Sequence, residues 1–221
     1  MNKNLIRLIV VFSIFVFSFS AFSMDIGLKS GMNMSGSRVS GDSPINEENW
    51  TGLSRSSIGL LFRFDISPRL TFQPEIFYVM KGIKRIENIP IGFMQVISIM
   101  HMWRFHYIEL PVLLRVNFAP KSNFYPIAYT GPYLAYLINS KWKHEYSLGG
   151  AIEDTWNETD KLKRFDYGIV FGVGAEFKQK AVTLMFEIRY TLGLTNVASD
   201  TNGKYTDIKN SCFAMQMGFS F

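Results

Sequence analysis

Few side chains in this sequence are suited to acid–base or nucleophilic chemistry. The three histidines are His101, His106 and His144, and the one cysteine is Cys212. A lone cysteine cannot form an internal disulfide or a zinc site built on paired cysteines. His144 stands beside Glu145, which is usually a solvated pair, and no serine and histidine show a recognisable hydrolase spacing. The sequence therefore predicts no catalytic residue, no metal site and no cofactor.

Eight other charged side chains share a regularity. Each falls on the polar face of a segment in which apolar residues recur at every second position, as Leu70, Phe72 and Ile76 do. This period is typical of a β-strand with one apolar and one polar face. Four of the eight are basic and four acidic, and buried charges persist only when they are paired. We therefore predict an interior ion-pair network of Lys29, Arg63, Glu75, Glu109, Arg115, Glu176, Glu187 and Arg189.

The alternation predicts eight strands. They cover residues 26–34, 58–64, 70–81, 107–118, 124–138, 165–177, 182–191 and 212–221. Pro126 and Pro132 leave the register of the fifth strand open. If consecutive strands are neighbours, Arg115 lies beside Glu75 and Arg189 beside Glu176, so we expect these to form pairs.

Long and short connections alternate along the chain. The long ones are Ser35–Thr51, Gly82–Arg104, Asn139–Lys163 and Gly193–Lys209, and the short ones are Asp65–Arg69, Ala119–Asn123 and Lys178–Lys180. An up-and-down meander places all long connections at one end, and barrels of the outer membrane have long external loops and short periplasmic turns. The predicted fold is therefore all-β, an eight-stranded antiparallel up-and-down transmembrane β-barrel.

A soluble barrel is the alternative fold. It would turn its apolar residues inward, but the lumen of an eight-stranded barrel is narrow. Here the apolar face is large and aromatic, and aromatic residues make up 15% of the chain. The polar face carries charges and small residues such as Gly172 and Gly174. No helix follows these glycines, so they do not form a nucleotide-binding loop, and we interpret them as leaving space for large neighbouring side chains in the lumen. The pattern favours a wall facing lipid.

The N-terminus has the features of an export signal. Lys3 and Arg7 precede an apolar stretch at 8–19. The small residues Ala21 and Ser23 then stand where a signal peptidase would cleave, after Ser23. An uncleaved anchor is the alternative, although the stretch is short for a membrane-spanning helix. The predicted organisation is a signal peptide at residues 1–23 and a barrel domain at residues 24–221.

Charge and composition limit the classes of molecule that the protein is expected to contact. The formal net charge is +5 with no cluster of basic residues along the sequence, so nucleic acid is not an expected partner. Apolar residues make up 48% of the chain, which excludes a disordered chain. The expected surroundings are the lipids of the outer membrane.

The last strand ends on an aromatic residue. This ending resembles the recognition signal of the machinery that assembles outer-membrane barrels, and an ordinary amphipathic strand is the alternative. The residues that carry the resemblance are Phe213, Met217, Phe219 and Phe221.

Several segments resemble the PorT-like outer-membrane β-barrel family. Residues 27–35 resemble its opening strand, 107–115 its fourth strand and 131–137 the strand that follows; 165–174 and 189–194 resemble later strands. The resemblance implies the barrel fold and an outer-membrane location in a Gram-negative cell. It implies little about activity, because most such proteins have none assigned.

Two of the long connections could contact other molecules. Residues 89–100 are too apolar for a free loop, so they form either a packed hairpin or a contact surface for a protein partner or a lipophilic ligand. Trp142 and Trp156 lie in the third long connection. We expect a non-enzymatic barrel with a structural, accessory or recognition role through these external loops. A small-solute channel and, less favoured, a lipid-modifying enzyme are the alternatives.

Overall fold

The computed structural model describes most of the chain after the predicted signal peptide. The described residues are 24–40, 50–91, 95–119, 122–146, 153–157, 159, 162–197 and 207–221. The predicted signal peptide at 1–23 lies outside them. No helix within these residues is long and apolar enough to span a membrane.

Ten β-strands are present in the described chain. They are β1 (Met24–Ser40), β2 (Trp50–Gly52), β3 (Ser54–Ser67), β4 (Leu70–Ile91), β5 (Gln95–Asn117), β6 (Phe124–Tyr146), β7 (Glu153–Asn157), β8 (Phe165–Gln179), β9 (Val182–Gly193) and β10 (Asp207–Ser220).

Eight of these strands close into a ring. The order is β4-β3-β1-β10-β9-β8-β6-β5, and β5 pairs back onto β4. Every pairing is antiparallel, and the short strands β2 and β7 extend the sheet beside β4 and β6. At the seam, Phe221 and Ile26 exchange two backbone hydrogen bonds of 3.0 and 3.1 Å. The predicted eight-stranded up-and-down barrel is confirmed, and its closure satisfies the backbone without help from solvent.

The barrel wall has an apolar outer face and a polar inner face, as a protein embedded in lipid requires. Large apolar side chains point outward, as Phe186 at 59% and Met215 at 60% exposure show. Charged and small residues point inward. Aromatic residues flank the short turns at one end of the wall, and a row of tyrosines lies on the outer face nearer the other end. The first group includes Phe64, Phe72, Phe118, Phe124 and Phe177, and the second Tyr78, Tyr136, Tyr167 and Tyr190. Two such rows are typical of the two membrane interfaces.

The predicted bounds of the long connections are wrong. β4 and β5 pair as far as Ile91 and Gln95, where loop was predicted from Gly82 to Arg104, so the hairpin interpretation is confirmed. β6 continues to Tyr146 and pairs there with β7. The backbone ladder carries on where the apolar alternation has faded, because beyond the lipid neither face needs to be uniformly apolar. The segments 41–49, 147–152 and 198–206, which belong to the other long connections, lie outside the described residues.

The opposite end of the barrel has tight turns. β3 and β4 are joined at Pro68–Arg69, and β8 and β9 at Lys180–Ala181. Lys180 has φ of 53°, a left-handed conformation that a two-residue hairpin turn commonly requires. The asymmetry between the two ends matches the sequence-based expectation of short turns on one side.

Candidate functional site

The lumen holds a cluster of ion pairs built on Glu75 of β4. One oxygen of Glu75, Oε1, lies 2.8 Å from Lys29 Nζ, and the other, Oε2, lies 2.5 Å from Arg189 Nη2. Lys29 also reaches Glu187, with Nζ 2.7 Å from Oε2. All four side chains are at most 5% exposed. The strand period explains this placement, since each residue sits at an inward position of its strand.

A second cluster centres on Glu176 of β8. Its Oε1 lies 2.5 Å from Arg63 Nη2 and also contacts Arg115 Nη2. Gln73 joins the two clusters, because its Nε2 donates to Glu75 at 2.8 Å and its Oε1 accepts from Arg115 Nη1 at 3.0 Å. The charges of these two clusters thus form one connected network rather than separate pairs, and Glu109 of the predicted set pairs elsewhere, with Lys81.

The two pairs predicted from strand adjacency are wrong. The structure pairs Arg115 with Glu176 and Arg189 with Glu75, which exchanges the predicted partners. β9, which carries Arg189, stands opposite β4 in the eight-stranded ring. In so narrow a barrel, long side chains meet across the axis. Adjacency along the wall therefore does not decide which charges pair.

Two further buried charges escaped the sequence analysis. Lys81 Nζ lies 2.5 Å from Glu109 Oε1 and 5.1 Å from the ring centre of Tyr107. Asp166 accepts a hydrogen bond of 2.9 Å from Asn210 Nδ2. Lys81 and Asp166 both lie on the polar alternation of their strands, so the same period could have found them. With them, the buried charges of the described chain number five basic and five acidic.

Aromatic rings fill the space between the charges. The ring centre of Tyr129 lies 5.4 Å from the Arg189 guanidinium and 5.6 Å from Lys29 Nζ, and Phe77 stacks on Arg189 at 5.1 Å. Beside Arg189 and Lys81 the lumen leaves a cavity of about 10 Å³, room for roughly one water molecule. The charges lie in a packed core of cation–π contacts and ion pairs.

The external extensions of β4 to β7 gather the remaining candidate residues. His101 Nδ1 lies 3.2 Å from His144 Nε2, and His101 Nε2 lies 3.3 Å from Glu87 Oε2. The Trp142 indole donates to His144, and the Trp156 ring stands edge-on to His144 at 5.1 Å between centres. This chain of contacts links Glu87, His101, His144 and Trp142 on the external extension.

The other residues considered in the sequence have structural partners. Glu145 pairs with Lys143 at 2.6 Å and is not simply solvated. His106 Nδ1 lies 2.6 Å from the Tyr78 hydroxyl on the outer wall. Cys212 is 4% exposed and faces the lumen. In the part of the chain that the structure describes, no three His, Cys, Asp or Glu side chains are grouped to hold a metal ion.

The C-terminal strand β10 lies between β1 and β9 with its apolar side chains outward. The residues of the predicted assembly signal, Phe213, Met217, Phe219 and Phe221, are between 36% and 67% exposed on the lipid-facing wall. Phe219 and Phe221 stack with ring centres 6.3 Å apart.

The closed ring, the polar interior and the apolar wall with its aromatic rows define a transmembrane β-barrel. Residues 20–199 match the family model described as outer membrane protein beta-barrel domain. The chain belongs to that family, and its location is the outer membrane of a Gram-negative bacterium.

Solved outer-membrane barrels resemble the chain along nearly its whole length. OprG of Pseudomonas aeruginosa is 12% identical, covers 90% of this chain and 97% of its own, and has a TM-score of 0.47. Neisserial surface protein A is 12% identical, with 89% and 95% covered and a TM-score of 0.46. Ail, the attachment invasion locus protein of Yersinia pestis, is 10% identical, with 89% and 98% covered and a TM-score of 0.38. No curated protein sequence matches the chain.

Proposed function

We propose that this protein is a non-enzymatic, non-conducting outer-membrane barrel that uses its elongated external hairpins for recognition at the cell surface. The packed lumen carries this proposal. Glu75, Glu176 and their basic partners occupy the axis with side chains at most 7% exposed. A solute path through the barrel would require those ion pairs to separate without replacement partners, which is costly in a dry interior.

The external hairpins support a recognition role. The β4–β5 hairpin continues more than ten residues beyond Tyr78, to Ile91. Its base is packed, because Ile83 and Phe105 are buried. Further out, Ile86 is 51% exposed, and Trp156 on neighbouring β7 is 47% exposed. Exposed apolar side chains on a rigid extension outside the lipid are typical of a contact surface. A protein or a lipophilic ligand are the partner classes that fit it.

The narrower parts of this proposal rest on sequence. The PorT-like resemblance of 107–115 and 131–137 supports membership of that subgroup, and the outward aromatic edge of β10 supports recognition by the barrel assembly machinery. A small-solute channel and a lipid-modifying enzyme are the competing functions. The packed lumen disfavours the first, and the lack of a recognisable serine–histidine hydrolase spacing in the sequence disfavours the second.

We expect the purified protein to be silent in planar lipid bilayers. Insertion of the folded barrel, verified by its heat-modifiable migration on a denaturing gel, should give no stepwise conductance, because buried ion pairs occupy the lumen and the cavity beside Arg189 holds roughly one water. A porin inserted under the same conditions is the positive control. Reproducible unitary steps from the folded protein would overturn the non-conducting assignment and favour the channel.

If the hairpin recognises a partner, crosslinking to that partner should occur at one exposed isoleucine of the wall and not at another. Ile86 lies on the external extension and Ile66 beside a short turn, with exposures of 51% and 52%. A photo-crosslinking amino acid at position 86 should give a discrete adduct in intact cells, and the same group at position 66 should not. As a check of topology, Ile86→Cys should react with an impermeant maleimide on intact cells, while Ile66→Cys should not. Equal adducts at both positions, or none at 86, would contradict recognition through the hairpin.

A further inference from the structure

We propose that a basic groove on the outer wall binds the phosphate group of a lipid in the outer leaflet. The groove lies where β3 leaves its ladder with β4. Ser57 pairs with Val79, and pairing resumes at Gly52 with Ile83, so the β3 side has one residue more than β4. Such a bulge opens the wall locally. The resulting groove has a volume of about 590 Å³ and is partly open to solvent.

Five basic side chains from four different strands line this groove, and one of them, Lys81 of β4, also pairs with Glu109. Arg55 comes from β3, Arg104 and His106 from β5, and Lys141 from β6. Its lining includes no aspartate or glutamate. Register explains the gathering, because Arg104 pairs directly with Lys141 and His106 lies two residues further along the same strand.

Apart from Lys81, which pairs with Glu109, the groove cations differ from those of the lumen in having no carboxylate partner. Every lumen lysine and arginine described above contacts an acidic side chain. Among the described residues, no aspartate or glutamate forms an ion pair with Arg55, Arg104 or Lys141, and none lines the groove. In the described chain, Arg55 donates to the Ser54 carbonyl oxygen at 3.3 Å, and Arg104 Nε is buried and has no hydrogen-bond partner among the described residues. Like charges placed together without a counter-charge repel one another, and a bound anion relieves that repulsion. Guanidinium groups match the geometry of phosphate oxygens particularly well.

The depth of the groove points to a lipid as the source of the anion. Met80 and His106 form the pair two positions outward from Tyr78 and Ile108. The tyrosine row marks the membrane interface, so the groove lies at the level of lipid headgroups. Met32, which is 66% exposed, and Met80 supply apolar lining that acyl chains can cover. A soluble phosphate has no apolar part that could contact that lining.

His106 is held in place for a contact with the anion. The Tyr78 hydroxyl lies 2.6 Å from His106 Nδ1, and the two rings are 5.9 Å apart between centres. This contact engages one ring nitrogen and leaves Nε2 for the groove. The groove lining therefore combines two guanidinium groups, the Lys141 ammonium and an imidazole at headgroup depth.

The test compares retention of lipopolysaccharide, a phosphorylated glycolipid, with retention of its dephosphorylated form. The double variant R104Q/K141Q should retain roughly tenfold less lipopolysaccharide after detergent extraction, because two charge-assisted contacts are lost. The matched control R69Q/K178Q removes two exposed cations at the opposite end and should bind like the unaltered protein. Heat-modifiable migration of each variant verifies the fold, and R104K, which keeps the charge, should retain most of the lipid.

Three results would overturn the proposal. The first is equal retention of lipopolysaccharide by R104Q/K141Q and R69Q/K178Q. The second is equal retention of the phosphorylated and dephosphorylated lipids by the unaltered protein. The third is full competition by millimolar inorganic phosphate, which would assign the groove to a soluble anion. None of these outcomes depends on conductance or on crosslinking at Ile86, so the lipid site and the recognition role fail separately.

Discussion

Replacing Glu75 by glutamine is expected to destabilise the folded barrel by about 3–5 kcal/mol, the range measured when one partner of a buried ion pair is removed. Within the described part of the chain, Glu75 is the carboxylate that forms an ion pair with Arg189, and it is one of the two carboxylates that contact Lys29. The substitution leaves the Arg189 guanidinium in a closed lumen without its counter-charge. The measurement is the temperature at which heat-modifiable migration is lost, which should fall clearly below that of the unaltered protein.

Glu87→Gln is the matched control for that experiment. Glu87 also contacts a basic group, His101, but its side chain is 45% exposed on the external hairpin. An exposed pair contributes about 0–1 kcal/mol, so this variant should unfold at nearly the original temperature. Equal, negligible effects at positions 75 and 87 would mean that water reaches the lumen charges, and the packed-lumen argument would fail.

A second substitution in the same chain distinguishes charge from packing. Combining Glu75→Gln with Arg189→Met removes the cation that the first change leaves unpaired. Replacement of a complete buried ion pair by apolar groups is often neutral, so the double variant should recover part of the lost stability. If Arg189→Met added its own loss in full, the two residues would be acting independently and the contact between them would contribute little.

The alternation of the strands predicts the fold and the inward set of residues, but not the contacts among them. Lys29, Glu75 and Arg189 are inward because side chains alternate with period two. Which of them meet depends on the stagger and tilt of the closed barrel, which a single strand does not encode. Arg189 therefore pairs across the lumen with Glu75 and not with Glu176 of the adjacent strand.

The external end was harder to predict for a different reason. Beyond Tyr78 the ladder of β4 and β5 continues, while lipid no longer selects one face for apolar residues. A register shift at His106 and Tyr107 also changes the parity of β5 against β6. The basic groove lies at such an irregularity, because Arg55 stands where β3 leaves its ladder with β4, while Lys141 pairs with Arg104 of β5. Periodicity carries no signal for this kind of site.

Gly172→Val is expected to destabilise the barrel by about 1–3 kcal/mol, although valine favours strands more than glycine does. Gly172 pairs with Tyr129, and a Cβ atom added at Gly172 would overlap the Tyr129 ring, including its hydroxyl oxygen. That ring packs against Arg189 and Lys29, so displacing it disturbs the centre of the ion-pair network. The temperature of heat-modifiable unfolding should fall.

Gly36→Val is the matched control, because it makes the same substitution in another wall strand where no loss of stability is expected. A Cβ atom at Gly36 would meet only the Ser211 hydroxyl, at an ordinary 3.5 Å. With no clash, stability should be unchanged or rise by a few tenths of a kcal/mol, because valine lowers the backbone entropy of the unfolded chain. Adding Tyr129→Leu to Gly172→Val removes the overlapping ring and should recover part of the loss. Indistinguishable unfolding temperatures for Gly172→Val and Gly36→Val would show that the Tyr129 ring moves freely, and the lumen would then be less tightly packed than the contacts around Arg189 indicate.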